Sequence, residues 1–218
     1  MPSTGGRRAP TRTRERILET ALAMFNALGE PNVTTNHIAD ETGISPGNLY
    51  YHFRSKADIV EHLFGAYEAR IDEALLLPTT RSPHVEDLWL QLHLLFEAIG
   101  QYRFLHRDLV DILSRNRRLR MRFTRLLDRA SSSAATLLRA LADDGALQAD
   151  AEDLRMLVEN AIALTTFWIG YDSVRGGRCN GAVGDPRGGM RRVIALLAPY
   201  LAETERAHLA ALAASYAD

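Results

Sequence analysis

Residues 34–53 read Thr34-Thr35-Asn36-His37-Ile38-Ala39-Asp40-Glu41-Thr42-Gly43-Ile44-Ser45-Pro46-Gly47-Asn48-Leu49-Tyr50-Tyr51-His52-Phe53, two short helical segments on either side of one glycine. The first opens near Thr34–Thr35, turns Ile38 and Ala39 inward and stops at Gly43. Ala39 is small enough for a second helix to cross close by, and Gly43 can take a positive φ without a Cβ penalty. The second segment begins with serine as N-cap and proline at the first helical position, the preferred place of each. Ile44 and Leu49 fill the angle from inside, which leaves Ser45, Pro46, Gly47 and Asn48 at the exposed start of that helix. The spacing predicts a helix-turn-helix, in which this end enters a DNA major groove. The hydroxyls of Thr34 and Thr35, the backbone donors at the helix start and the Tyr51 phenol suit phosphate oxygens. Tyr50, one turn before Phe53, is expected on the buried side. His52 reads either as a packing histidine or as a phosphate contact.

Outward from this stretch the apolar spacing stays helical. Ile17, Ala21 and Phe25, flanked by Leu18 and Leu22, mark a helix that Gly29 can close. After Arg54, the run Ser55-Lys56-Ala57-Asp58 reads as a capping box opening a helix through Ile59, Val60, Leu63, Phe64 and Tyr67. Past a loop at Thr79–Pro83, helices are predicted at 84–100, 102–114, 117–143, 151–174 and 187–214, with Pro199 kinking or dividing the last. The glycine-rich segment Arg175–Asp185 is expected to be the least ordered internal stretch. No alternating run argues for a strand, so the fold is expected to be all-α. It divides into a basic arm (1–12), a three-helix helix-turn-helix domain (13–60) and a helical ligand-binding and dimerisation domain (61–218).

The totals narrow the function. A chain of 218 residues with 46% hydrophobic and 24% charged residues is composed like a globular protein. It has no apolar run of the roughly eighteen residues a membrane helix needs, and no apolar segment follows the basic N-terminus as in a secretory leader. A cytoplasmic location is the expectation. The lone Cys179 excludes an internal disulfide and a thiolate metal cluster. No metal, cofactor or catalytic constellation is expected: Glu61/His62 and His84/Glu86 lack partners at ligand spacing. The net charge of −1 hides a local excess, since residues 1–16 hold five arginines against one glutamate. Such an arm is either a solvated tail or a contact to the DNA backbone.

From Thr13 to Leu63 the chain resembles the TetR/AcrR family of transcription regulators. The matching features are Arg14-Glu15-Arg16-Ile17-Leu18, then Thr34-Thr35, then Gly43 through Phe53, then Ser55-Lys56, in order and without a gap. Further on, Tyr102 to Leu109 is similar to a Tyr-Arg-Phe-x-x-Arg-Asp-Leu stretch found in one subgroup. The resemblance implies a homodimeric repressor of operator DNA released by a small hydrophobic effector. It implies that Thr35, Asn48, Tyr51, His52 and Lys56 touch phosphates or bases, and that Asn36, Pro46 and Gly47 vary with the operator. Asparagine at 36 and 48 can pair with adenine, whereas no long cation stands at 36 or 46 to read guanine. Lys56 is the only lysine of the chain.

The same resemblance places the dimer seam on 151–174 and 187–205. Leu154, Leu157, Ala161, Leu164, Trp168 and Tyr171 form one apolar face there, and Val193, Leu196, Leu197 and Tyr200 another; an ordinary internal core explains either pattern too. Candidate effector-pocket residues are the bulky Trp89, His93, Phe96, Tyr102, Phe104, Phe123, Leu127 and Trp168, to be weighed against plain core packing. Arg115, Arg118, Arg122, Arg125 and Arg129 recur at +3, +4, +3, +4, either a solvated face or an anion site. Two rival functions are a helical enzyme and a protein-interaction module whose helix-turn-helix binds no DNA.

Overall fold

The structure, a computed structural model, describes residues 8–176, 178–179, 182–183 and 185–215. Arg7 of the expected arm and part of the glycine-rich loop lie outside the described residues. α1 (Arg8–Leu28) is continuous from Arg8, so the last part of the expected flexible arm is helical. Ile17, Ala21 and Phe25 are its fully buried side. A 3-10 turn at Glu30–Asn32 leads into α2 (Thr35–Thr42), whose C-cap Gly43 has φ 71°. α3 (Pro46–His52) and α4 (Lys56–Ala74) follow. Ser55 caps α4 by accepting from Asp58 N–H, while the Asp58 carboxylate closes the loop one residue earlier than expected, on Arg54 N–H. α1 to α3 and the first turns of α4 form the head. The boundary expected at residue 60 falls inside α4, which runs on into the body as one rod.

The body is built from α5 (Val85–Gln101), α6 (Arg103–Arg107), α7 (Leu109–Arg115), α8 (Arg117–Asp143), α9 (Ala151–Val174), α10 (Pro186–Leu197) and α11 (Glu203–Ser215). The helix expected at 102–114 is two helices. Asp108 breaks it, with its carboxylate turned to accept from Glu30 N–H at 2.9 Å. The helix expected at 187–214 is likewise divided, by a 3-10 turn at Ala198–Tyr200 that contains Pro199. That turn is pinned to the α8–α9 loop by Gln148 N–H to Tyr200 O and Ala202 N–H to Ala146 O. A two-residue antiparallel pair, Arg178–Cys179 with Ala182–Val183, lies in the glycine-rich loop and leaves the fold all-α.

α9 packs on α10, α8 and α6, while α5 lies against α4, α10 and α11. This sets which faces are inside. Leu157 and Trp168 of α9, and Val193 and Leu197 of α10, turn into the protomer's own core rather than outward as a dimer seam would require. The large exposed apolar side chains of α9 are Met156, Phe167, Tyr171 and Val174; of the face expected, Tyr171 is exposed and Leu154, Ala161 and Leu164 are half-buried. α10 meets α9 through glycines: a Cβ on Gly189 would lie 2.4 Å from Phe96 Cε1 and 2.6 Å from Trp168 Cδ1. Trp168 is fixed in this slot by donating from Nε1 to Asp185 O at 2.7 Å and by Arg192 stacked 3.9 Å over its ring.

Gly189→Ala should therefore force the α9–α10 packing apart and lower unfolding free energy by about 1–3 kcal/mol, the usual cost of overpacking. Gly47→Ala, where the nearest atom to an added Cβ is Ser45 Oγ at 4.0 Å, serves as the control and should not destabilise. Equal urea midpoints for wild type and Gly189→Ala would contradict this packing.

Candidate nucleic-acid interface and interior cavity

The head presents one polar surface because each of its helix starts is capped by its own side chain. Thr34 Oγ1 accepts from His37 N–H at 3.2 Å, and His37 Nδ1 accepts in return from Thr34 N–H at 3.4 Å. Ser45 Oγ accepts from Asn48 N–H at 3.2 Å. These caps use oxygen lone pairs and leave the Thr34 and Ser45 hydroxyl hydrogens to donate outward. Thr34, Asn36, Ser45, Pro46, Gly47 and Asn48 are exposed, and Tyr51 is 81% exposed with its ring edge-on to His52. Thr35, His52 and Lys56 are half-buried.

Tyr50 is not buried as expected. It is 50% exposed, and its hydroxyl meets Thr35 Oγ1 at 3.0 Å, linking the first turn of α2 to α3. The buried pair of α3 is Leu49 and Phe53, spaced i, i+4, and Tyr50 lies a hundred degrees round from Leu49. A donor at this junction was therefore missed; its signal was the exposed neighbour of an i, i+4 core pair. Lys56 has partners inside the molecule: its ammonium donates to Glu30 O at 2.9 Å and pairs with Glu30 Oε1 at 3.1 Å. Of the arginines among residues 1–16, Arg14 lies 4.8 Å over the Phe53 ring and Arg16 donates to Thr42 O at 2.7 Å, closing the C-terminal end of α2.

The arginine stripe, from Arg115 at the end of α7 along α8, is an exposed face whose members are mostly engaged in ion pairs, with Arg125 exposed among them. Arg122 donates to Glu68 Oε2 at 2.6 Å, Arg129 reaches Glu68 Oε1 and Asp72, and Arg118 lies 3.5 Å from Glu61. Arg115 bonds Glu30 and Asp111. Burial alone would raise the Glu68 carboxyl pKa, but the hydrogen bonds and charges of Arg122 and Arg129 outweigh it and hold the group below its ordinary range.

Inside the body, α4, α5, α8 and α9 enclose a cavity of about 80 Å³. Of the candidate pocket residues, Phe123 and Leu127 line it. The other six candidates lie elsewhere. His93 and Phe96 border a separate, wider hollow of about 780 Å³ at the α5–α10 junction. Trp89 stacks on His93, Phe104 packs on Phe25 between head and body, Tyr102 lies beside Tyr67, and Trp168 is sealed beneath α10. Sequence reasoning missed Tyr67, Gln91, His106, Thr165 and Thr166, the polar residues of the cavity wall. Tyr67 was read as an ordinary apolar position of α4, and His106 sat unremarked in the Tyr102–Leu109 stretch.

These polar groups form a determinate network. Thr166 O can only accept, so His106 Nδ1, 2.9 Å away, carries the proton. His106 Nε2 is then the acceptor of the Tyr67 hydroxyl at 2.8 Å. Burial pushes the Tyr67 phenol well above its ordinary value and drops His106 to about 4, against the smaller upward pull of Thr166 O. Both groups are neutral near pH 7.

A helix-turn-helix head carried by a rod that enters a helical body defines a DNA-binding transcriptional regulator. Known proteins agree. Residues 17–63 match the family described as bacterial regulatory proteins, tetR family, and residues 66–209 match TetR, bacterial transcriptional repressor. A TetR-family regulator from Marinobacter aquaeolei VT8 is 36% identical with a TM-score of 0.81, over 94% of this chain and 98% of that one. A transcriptional regulator from Saccharomonospora viridis, solved with choline, shares the fold at 23% identity, with a TM-score of 0.62, 94% of this chain and 97% of that one. The repressor KstR2 of Mycolicibacterium smegmatis is 38% identical over 73 residues, which is 30% of this chain and 36% of the repressor. The chain belongs to the TetR family of bacterial transcriptional regulators.

Because the unfolded chain binds a proton on histidine below about pH 6.5 and buried His106 does so only near 4, stability should fall as pH drops through that window. Full titration corresponds to roughly 3 kcal/mol. Urea midpoints measured between pH 7.5 and 4.5 should decline more steeply for wild type than for His106→Gln, which removes this group while other carboxylates and histidines titrate in both proteins. Parallel declines would remove His106 from the account.

Proposed function

We propose that this protein binds operator DNA as a homodimer, represses transcription there, and is released when a small molecule enters the cavity between α4, α5, α8 and α9. The observation that carries the reading is the outward start of α3. The left-handed turn at Gly43 sends Ser45, Pro46, Gly47 and Asn48 away from the head, with Tyr51 on the same side. Inserted in a major groove, Asn36 and Asn48 would meet base edges, while the Thr34, Thr35, Tyr50 and Tyr51 hydroxyls would meet phosphates. Lys56 would offer DNA only what its Glu30 pair leaves. Its first role is to fix the start of α4.

Two such heads need to lie roughly 34–36 Å apart to read successive major grooves. The exposed stripe Met156, Phe167, Tyr171 and Val174 on α9 is the apolar surface offered to a second copy, with the 187–205 segment beside it. Ligand and DNA are coupled through α6. His106 faces the cavity, and the next two residues grip the head: Arg107 donates to Phe25 O and Asn26 O, and Asp108 accepts from Glu30 N–H. A molecule that moves His106 moves this grip and the α4 rod with it. Coupling of the usual size, about 1–3 kcal/mol, lowers operator affinity about 5- to 150-fold.

The test is selection of duplexes from a randomised pool, followed by anisotropy titrations of the enriched sequence at several salt concentrations. Wild type should bind a near-palindrome with a steep salt dependence, and Tyr51→Phe should weaken binding to all duplexes alike. Asn48→Ala should relax base preference instead, at about 1–3 kcal/mol for the preferred sequence. Failure to enrich any sequence, with affinity insensitive to salt, overturns the reading.

A further inference from the structure

We infer that the interior cavity selects an uncharged, largely apolar molecule that donates a hydrogen bond, such as an alcohol or a phenol, and rejects carboxylates and ammonium ions. This deepens the effector reading above and rests on it. No Asp, Glu, Lys or Arg stands among the lining residues, whose bulk is leucine, isoleucine, alanine and Phe123. On two of the helices that line it, Glu68 and Asp72 of α4 are paired with Arg122 and Arg129 of α8. An ion entering the cavity would shed its hydration and find no counter-charge.

The preference for a donor follows from which polar atoms are already used. Ser133 Oγ donates its hydrogen to Leu75 O at 2.9 Å, so it can only accept from Gln91, and the Gln91 group 2.9 Å away must be Nε2. A second hydrogen of that nitrogen points to Ala74 O at 3.4 Å. The Gln91 amide is therefore oriented, with its donors committed and Oε1 left as an acceptor. Tyr67 has given its only hydrogen to His106, whose second nitrogen is held by Thr166 O, so Tyr67 too offers the cavity only lone pairs. The Thr165 and Thr166 hydroxyls adapt to either role. A ligand hydroxyl would satisfy Gln91 Oε1 or Tyr67 Oη; an ether or ester of the same shape would leave them unpaired. At about 80 Å³ the cavity is roughly half the ~150 Å³ that admits a benzene ring. Even a one-ring ligand must widen it, and that widening supplies the difference between the ligand's affinities for the two states.

The experiment uses the full-length protein at pH 7.5 with two matched sets of probes: phenol, anisole and benzoate, then 2-naphthol, 2-methoxynaphthalene and 2-naphthoate. Calorimetric titration and thermal shift should show one or both phenols binding, the matching ether about tenfold weaker, as for loss of one buried hydrogen bond, and the carboxylates not at all. Gln91→Leu should narrow the gap between phenol and ether without restoring carboxylate binding. An ether or carboxylate that binds as well as its phenol overturns the inference. So does a protein that binds duplex DNA normally but takes none of the six probes. Phenol selectivity in a preparation with no duplex affinity would support the ligand class and overturn the DNA reading instead.

Discussion

A carboxylate withdrawn from water has to be matched by cations and donors, and at the junction of head and body that constraint falls on Glu30. It is only 4% exposed, in the corner where α1 ends and α2 has yet to begin. Lys56 from the first turn of α4 and Arg115 from the end of α7 hold its two oxygens, and its own N–H goes to Asp108. Hydrogen bonding to Glu30, joined by the charges of Glu30 and Asp111, keeps the Arg115 guanidinium protonated more firmly than usual. Removing both cations would leave a buried charge unmatched, which costs several kcal/mol where an intact pair gains little. The arrangement therefore acts mainly as a specification of geometry. The start of α4 and both ends of α7 meet at this one residue, which fixes how they lie against the head.

The pairs between α4 and α8 extend the same logic along the rod. Arg122 and Arg129 straddle Glu68, and Asp72 takes the far side of Arg129. Exposed ion pairs contribute little individually, but Arg122 also lies 4.8 Å over the Phe64 ring, so its side chain covers apolar surface as well as meeting a carboxylate. Sliding of α4 past α8 would break these contacts in register. The row thus favours discrete positions of the rod over continuous drift.

How much of this could be read in the sequence depended on distance along the chain. The helix-turn-helix is local: Gly43, Ser45, Pro46 and Leu49 do their work within one or two turns, and the bounds of α2 and α3 followed from them. The long helices at 117–143 and 151–174 were legible for the same reason. Their facing was not. α9 carries apolar residues on more than one side, so its periodicity could not say that Trp168 turns inward and Phe167 outward. The arginines of α8 looked solvated because their partners, Glu61, Glu68 and Asp72, stand some 55–60 residues earlier on another helix. A cavity is the least local feature of all. Tyr67, Gln91, His106 and Thr166 come from four helices and acquire a common meaning only when those helices pack.

The shortness of α6 gives that polar cluster its reach. Five residues make little more than one turn, and Tyr102 and Asp108 at its ends have non-helical backbones. Such an element has few hydrogen bonds of its own, so its position is set by what its side chains hold. On one side His106 ties it to Tyr67 of α4 and to the α9 backbone; on the other Arg107 holds the carbonyls that end α1, and Phe104 N–H bonds Asn26 Oδ1. A rigid long helix in this place would resist displacement through its own packing. A free loop would dissipate it. A single turn fastened at both faces takes its place from the cavity wall on one side and from the end of α1 on the other.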